Sequence, residues 1–228
     1  MKRLLLTFVA MCLPLAAGAA SLEPFSASYA IRWGGMNAGN ATLRLDRIPG
    51  DDMWSYESRL QGRGLFRLAL PSNQTARSVF QIRDGHVVPL TYTSSEKDQK
   101  VDFDWNSGRV TGSVSGKAFD LPVQEGLLDE QAVQVALMQE LMSGRTPSRF
   151  VLVDEGRIKD YRYAVEGSEM IESAAGTFRT DIYSSRRPGS RKATYFWCAP
   201  ELGYIPLKVE RRDGKDVEWS MRLTSLDR

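Results

Sequence analysis

Apolar and polar side chains alternate through most of this 228-residue chain, and a period of two is the signature of half-buried β-strands. Phe25, Ala27, Tyr29, Ile31 and Trp33 alternate with Ser26, Ser28, Ala30 and Arg32. Ala41, Leu43 and Leu45 alternate with Thr42, Arg44 and Asp46, and Trp54, Tyr56, Ser58 and Leu60 with Ser55, Glu57 and Arg59. The pattern returns at Val101, Phe103 and Trp105, at Ala193, Tyr195 and Trp197, at Ile205, Leu207 and Val209, and at Val217, Trp219, Met221 and Leu223. Gly34-Gly35, Asp84-Gly85, Ser107-Gly108 and Asp213-Gly214 fall between such runs and carry the chemistry of tight hairpin turns. Regular strands on short turns predict a mainly β fold: a curved antiparallel meander forming an open or closed barrel, dry on one face and wet on the other.

One segment departs from this period. From Leu127 to Met142 the apolar residues Leu128, Ala132, Val133, Val135, Leu137 and Leu141 recur at helical spacing, with Ala136 and Met138 between them. This predicts the main α-helix over about 127–142, with Asp129 capping its start, Glu130 and Gln131 in its first turn and Gly144 ending it. So wide an apolar stripe must be covered on two sides, which places the helix on or in the concave face of the sheet.

The N-terminus sets the expected compartment. Lys2 and Arg3 precede the apolar run Leu4 to Leu15, and small residues Ala16 to Ala20 follow, the layout of a cleaved secretory signal. The run is about 12 residues, against the roughly 20 a spanning helix needs. The expected organisation is a signal peptide at 1–20 and a single β-rich domain at 21–228, soluble and not membrane-spanning, in the periplasm. Without Lys2 and Arg3 the 30 Lys and Arg fall to 28, equal to the 28 Asp and Glu. A balanced surface speaks against a nucleic-acid partner, which calls for a basic excess. Cys12 leaves with the signal, so Cys198 has no disulfide partner within the chain and reads as a buried, inert thiol.

No catalytic constellation or cofactor motif stands out. The single histidine, His86, follows Asp84-Gly85 in a hairpin turn and reads as a solvated turn residue. One histidine and one remaining cysteine cannot build a usual zinc site. Asp51, Asp52, Asp98, Asp102 and Asp104 lack the spacing of a calcium loop, and Asp102 and Asp104 read as the wet face of a strand. Asp129, Glu130 and Glu140 are the carboxylates a glycan hydrolase would draw on, though helix position accounts for all three. The expectation is a protein without catalytic residues, metal or cofactor.

The aromatic residues carry more. Tyr29, Trp33, Trp54, Tyr56, Phe103, Trp105, Tyr195, Trp197 and Trp219 fall mostly on inferred inner faces. They either fill a barrel core or, with Val133, Leu137 and Leu141 of the helix, line a cavity for an apolar ligand.

Several segments together resemble a family of exported bacterial proteins of unknown function, DUF3108. They are Tyr29-Ala30-Ile31-Arg32-Trp33-Gly34-Gly35-Met36, Gly64-Leu65-Phe66, Val88-Pro89-Leu90, the Leu128-Asp129 helix start, Val165-Glu166-Gly167-Ser168-Glu169 with Ala175-Gly176-Thr177-Phe178, and Tyr195-Phe196-Trp197 with Ile205-Pro206-Leu207-Lys208-Val209. The chain departs from the family tendency at Trp197-Cys198-Ala199-Pro200, where an acidic turn is more usual. The resemblance implies an envelope protein with a curved antiparallel sheet and little helix, similar in plan to the open barrels of periplasmic lipoprotein carriers, and it brings no catalytic residues. The expected function is therefore non-enzymatic binding of an apolar or amphipathic envelope ligand: a lipid, an acyl chain or a lipoprotein. A protein-interaction module in envelope assembly, recruiting an envelope protein partner by strand addition, is the alternative; a glycan hydrolase is a third.

Overall fold

The computed structural model describes residues 21–67 and 74–228. The expected signal peptide lies outside the described residues. The strands are β1 (Phe25–Trp33), β2 (Met36–Ile48), β3 (Met53–Gly62), β4 (Gln74–Arg83), β5 (His86–Ser94), β6 (Gln99–Asp104), β7 (Arg109–Val114), β8 (Lys117–Pro122) and β9 (Leu127–Asp129). A helix, α1 (Ala132–Met142), leads to β10 (Arg149–Asp154), β11 (Arg157–Ser173), β12 (Gly176–Arg186), β13 (Lys192–Ala199), β14 (Ile205–Asp213) and β15 (Asp216–Asp227).

The 15 strands of the described residues form one curved sheet that does not close. It consists of two meanders, β1 to β8 and β9 to β15, joined where the first and last strands pair antiparallel. The free edges are consequently β8 and β9, which are neighbours in the chain. Every pairing is antiparallel except β9 with β10, a parallel pair that needs a crossover and gets it from α1.

The inner face is built in register. Phe25, Leu45, Tyr56, Ser78, Tyr92 and Val101 stand opposite one another across β1 to β6, and all are buried. Ser78 is the one aliphatic hydroxyl in this otherwise apolar and aromatic row. The row continues to Gly112 on β7 and Phe119 on β8.

The helix is shorter than its apolar spacing predicts. Leu127, Leu128 and Asp129 form β9 against Val151, Leu152 and Val153, because an unbroken apolar run satisfies a buried strand as well as a helix. Glu130 and Gln131 precede α1 rather than opening it. The helix end follows expectation: Gly144 at φ +73° donates to Leu141 O and Arg145 N–H to Glu140 O, the paired bonds of a Schellman cap. No residue of α1 is fully exposed. Ala132, Val135, Ala136 and Met138 join the main core, while Leu137 and Leu141 pack with Tyr183 and Cys198 on the other flank.

Side chains, not a backbone ladder, draw the two edges together. Leu127, Val151 and Val153 of β9 and β10 share a second core with Tyr92, Val101, Phe103 and Val110. The Phe119 ring sits between Gly112 and Gly156, where a β-carbon on either would come within 3 Å of it. At Gly112 a β-carbon would also lie 2.1 Å from the Lys100 carbonyl oxygen. Replacing Gly112 by Ala is therefore expected to displace Phe119 and cost about 1–3 kcal/mol, the usual range for overpacking. A urea-unfolding midpoint equal to that of the native protein would refute this role for Gly112.

Candidate functional site

A cavity of about 650 Å³ opens beside the β4–β5 turn where the helix, β5 and β10 converge. Its apolar wall comes from Val87 and Val88 of β5, Leu128 of β9, Ala136 of α1, and Phe150 and Val151 of β10, with Trp105 beyond β6. Arg83, His86, Glu125, Glu140 and Arg149 stand around it. The space exists because the helix presents Ala136, the smallest side chain with a β-carbon, to this wall. An apolar concavity with a few polar groups at the rim is the general form of a small-molecule site.

The polar groups are held in place. Arg145 donates to both Glu140 oxygens, at 2.6 and 3.1 Å, and its Nη2 lies 3.5 Å from Gly85 O, tying the C-terminus of α1 to the β4–β5 turn. His86 Nδ1 stands 3.0 Å from Glu140 Oε1. The Arg145 guanidinium keeps the Glu140 carboxyl below its ordinary range, so Glu140 is held as an acceptor rather than as a proton donor. Trp105 is fixed by its indole N–H donating to Pro89 O at 2.6 Å and by stacking on Phe103. Phe150 meets Tyr163 edge-on at 5.0 Å.

Two further carboxylates lie deeper. Asp129 is fully buried: its Oδ2 accepts from the Ser78 hydroxyl at 2.6 Å and its Oδ1 from the backbone N–H groups of Gln131 and Ala132, both at 2.8 Å. Burial outweighs these bonds and pushes the carboxyl up to about 6. At the far end of β5, Lys97 donates to both oxygens of Glu130 at 3.1 Å, and burial raises Glu130 to about 7. Asp129, Glu130 and Glu140 are thus structural partners of Ser78, Lys97 and Arg145 in that order. Among the described residues, no three His, Cys, Asp or Glu side chains gather as metal ligands.

Of the residues expected to line a ligand cavity, Trp105 stands at this one, and Trp54 stands at a second cavity of about 580 Å³ beside Leu22, Ile82 and Gln139. Tyr29, Trp54, Tyr56 and Phe103 are buried in the packed cores, Tyr29 with its hydroxyl on Pro206 O at 2.9 Å. Val133 packs against the main core, and Leu137 and Leu141 against Tyr183. Trp33 is 46% exposed at a hairpin tip. Tyr195 and Trp197 need correcting in face. Phe196 pairs with Val209 and, with Cys198, packs against α1, so Tyr195 and Trp197 lie on the opposite face of β13; there Trp197 is still buried and joins the main core, Tyr195 packs against it, and Lys208 and Arg212 lie over their rings. Strand β13 is apolar on both faces, so alternation alone assigned the wrong side. His86, expected in open solvent, has a partner and stands at the cavity rim. Cys198 is fully buried and burial raises its thiol, as expected of an inert cysteine. The cavity wall itself was missed. Its one legible signal is the continuous apolar run Phe150-Val151-Leu152-Val153, the mark of a strand buried on both faces.

The raised Asp129 carboxyl makes stability depend on pH. The folded protein keeps a proton that the unfolded chain releases near the ordinary 3.8. This contribution is complete below about 4 and is lost as pH rises through about 6. A shift of some two pH units corresponds to roughly 3 kcal/mol at most. Asp129→Asn retains the acceptor for the helix N–H groups and can donate to Ser78. Urea titrations from pH 4 to 7 are expected to show the variant losing less stability than the native protein over this window; parallel curves would rule the assignment out.

A family model described as "Protein of unknown function (DUF3108)" matches residues 28–217. No curated protein matches the chain. Among solved structures, a candidate lipoprotein from Parabacteroides distasonis is 10% identical, with a TM-score of 0.37 over 90% of this chain and 96% of that one. A candidate exported protein of YmcC-like fold from Bacteroides fragilis is 10% identical, with a TM-score of 0.39 over 91% and 97%. MucB from the Pseudomonas aeruginosa MucA/MucB complex is 12% identical, with a TM-score of 0.39 over 90% of this chain and 51% of that one, so this chain spans about half its length. At such identities and scores these likenesses carry no functional weight.

Proposed function

The chain belongs to the DUF3108 family of proteins of unknown function, and from that premise we propose that it is a non-enzymatic periplasmic protein that binds an amphipathic envelope ligand. The observation that carries this reading is the cavity of about 650 Å³ beside the helix, apolar within and polar at its mouth. Its size falls in the range of small-molecule sites, about 300–1,000 Å³. The apolar part of a ligand would lie against Leu128, Ala136, Phe150 and Val151, and its polar end at Arg83, His86 and Arg149. Export follows in this reading from Lys2, Arg3 and the apolar run Leu4 to Leu15.

Filling the cavity is the test. Ala136→Phe places a ring in the space Ala136 leaves open. Titration of a fluorescent fatty acid is expected to show binding by the native protein and an affinity at least about tenfold weaker in the variant, equivalent to about 1.4 kcal/mol. Thermal unfolding of the variant serves as the control for its fold. A native protein that neither binds the probe nor carries lipid in native mass spectrometry sinks the proposal, as does a folded variant that binds equally well.

A second reading, recruitment of an envelope protein, is favoured by strand β8. This edge strand has a hydrogen-bonded neighbour on one side only, and Lys117, Ala118, Asp120 and Pro122 along it are exposed. An added strand would pair there. A photocrosslinker at Ala118 is expected to trap one dominant partner in intact cells, and a diffuse ladder of products would count against this reading.

A further inference from the structure

Five large apolar side chains stand exposed among the described residues, and three of them, Trp33, Met36 and Val217, share one rim of the sheet. Apolar residues exposed singly need no explanation, but grouped ones mark a contact surface. Trp33 and Met36 face each other across the tip of the β1–β2 hairpin, and the other cross-strand neighbour of Trp33 is Trp219, two residues beyond Val217. The tip is built to hold its shape. Gly34 and Gly35 adopt φ of 53° and 82°, as a two-residue turn requires. The Arg32 guanidinium donates twice to Gly35 O, at 2.6 and 3.0 Å, and Gly34 N–H donates to Glu218 O at 3.1 Å. Trp33 is thus presented by ordered backbone, so little further ordering is needed when it binds.

The charge around this tip is net positive, with five basic residues against three acidic ones. Arg186, Arg187, Arg191 and Lys192 lie in and beside the β12–β13 connection, and Lys215 in the β14–β15 turn. Asp213, Asp216 and Glu218 are the acidic residues of the same turn region. Arg191 is paired with Asp213 and Lys192 with Glu218, which leaves Arg186, Arg187 and Lys215 against Asp216. Arg186, Arg187 and Lys215 have no carboxylate partner among the described residues. The 28 basic and 28 acidic residues beyond Arg3 balance, so this local excess is a segregation of charge and not a reflection of composition.

We propose that this rim docks on the surface of an anionic lipid bilayer. Indole and thioether groups at a protruding tip suit the boundary between headgroups and acyl chains, and flanking arginines and lysines suit lipid phosphates. The surface is separate from the cavity: none of Trp33, Met36 and Val217 lines it. A binding protein with such a rim would work at the membrane face rather than free in solution.

Co-sedimentation of the exported protein with vesicles tests this. One set is phosphatidylcholine alone, and the other equal parts of phosphatidylcholine and phosphatidylglycerol. The protein is expected to sediment with the anionic vesicles only, and less so as salt rises. The double variants Trp33→Ser with Met36→Ser, and Arg186→Gln with Arg187→Gln, are each expected to bind at least about fivefold more weakly with unchanged unfolding midpoints, since these side chains are exposed and hold no core contact. Ala136→Phe is expected to sediment like the native protein, which separates failure at the rim from failure at the cavity. No sedimentation with either vesicle, equal sedimentation with both, or native binding by both double variants would overturn the proposal. So would a concentration-dependent dimer, abolished by Trp33→Ser with Met36→Ser, in a protein that ignores vesicles; the rim would then be a contact between two copies of the chain.

Discussion

A single carboxylate buried against the inner face of the sheet organises the rest of this structure. Asp129 ends β9, accepts the first free N–H groups of the helix, and meets the only aliphatic hydroxyl in the inner row, Ser78. An unpartnered polar group at that depth would cost several kcal/mol, so the pair has one acceptable arrangement. That arrangement fixes the start of α1 over β4 and hence the line along which the helix crosses the interior. Its C-terminus is fixed in turn by Arg145, between Glu140 and the β4–β5 turn. With both ends pinned, the small face at Ala136 has nowhere to collapse, and the cavity is what remains.

The same crossover explains why the sheet stays open. A closed barrel would require β8 to pair with β9, its neighbour in the chain. Strand β9 has three residues, all buried, and it spends its pairing on β10 in parallel. The edges therefore meet through side chains: the Phe119 ring in the gap between two glycines, and the second core formed by Tyr92, Val101 and Phe103 with Leu127 and Val153. Such a seam excludes water without a hydrogen-bond ladder, and it leaves the outer edge of β8 unpaired.

The strands and their turns were legible in the sequence wherever one face is wet. Phe25 to Trp33 and Val101 to Trp105 alternate cleanly because their outward residues meet solvent, and Gly34-Gly35 and Asp84-Gly85 turn where their chemistry says they should. Legibility failed where both faces are covered. At β13 apolar residues occur at every position from Tyr195 to Ala199, so Tyr195 and Trp197 were assigned inward although Phe196 and Cys198 hold that side. At Leu127 to Asp129 full burial let a strand pass for the first turn of a helix. The cavity was hidden for a related reason. Periodicity identifies faces but not volumes, and of the large rings that suggested a pocket, Tyr29, Tyr56 and Phe103 fill the cores instead.

The arrangement of polar groups separates recognition from chemistry. The carboxylates with raised proton affinity, Asp129 and Glu130, lie outside the cavity lining and hold hydrogen bonds to Ser78 and Lys97. The carboxylate that does stand at the cavity, Glu140, is held below its ordinary range by the Arg145 hydrogen bond. A general acid and a general base need opposed proton affinities within reach of one substrate, and here the two kinds of carboxylate face different spaces. The cavity wall, by contrast, meets the simple demands of binding: an apolar concavity, an indole fixed by its own hydrogen bond, and a polar mouth on ordered backbone.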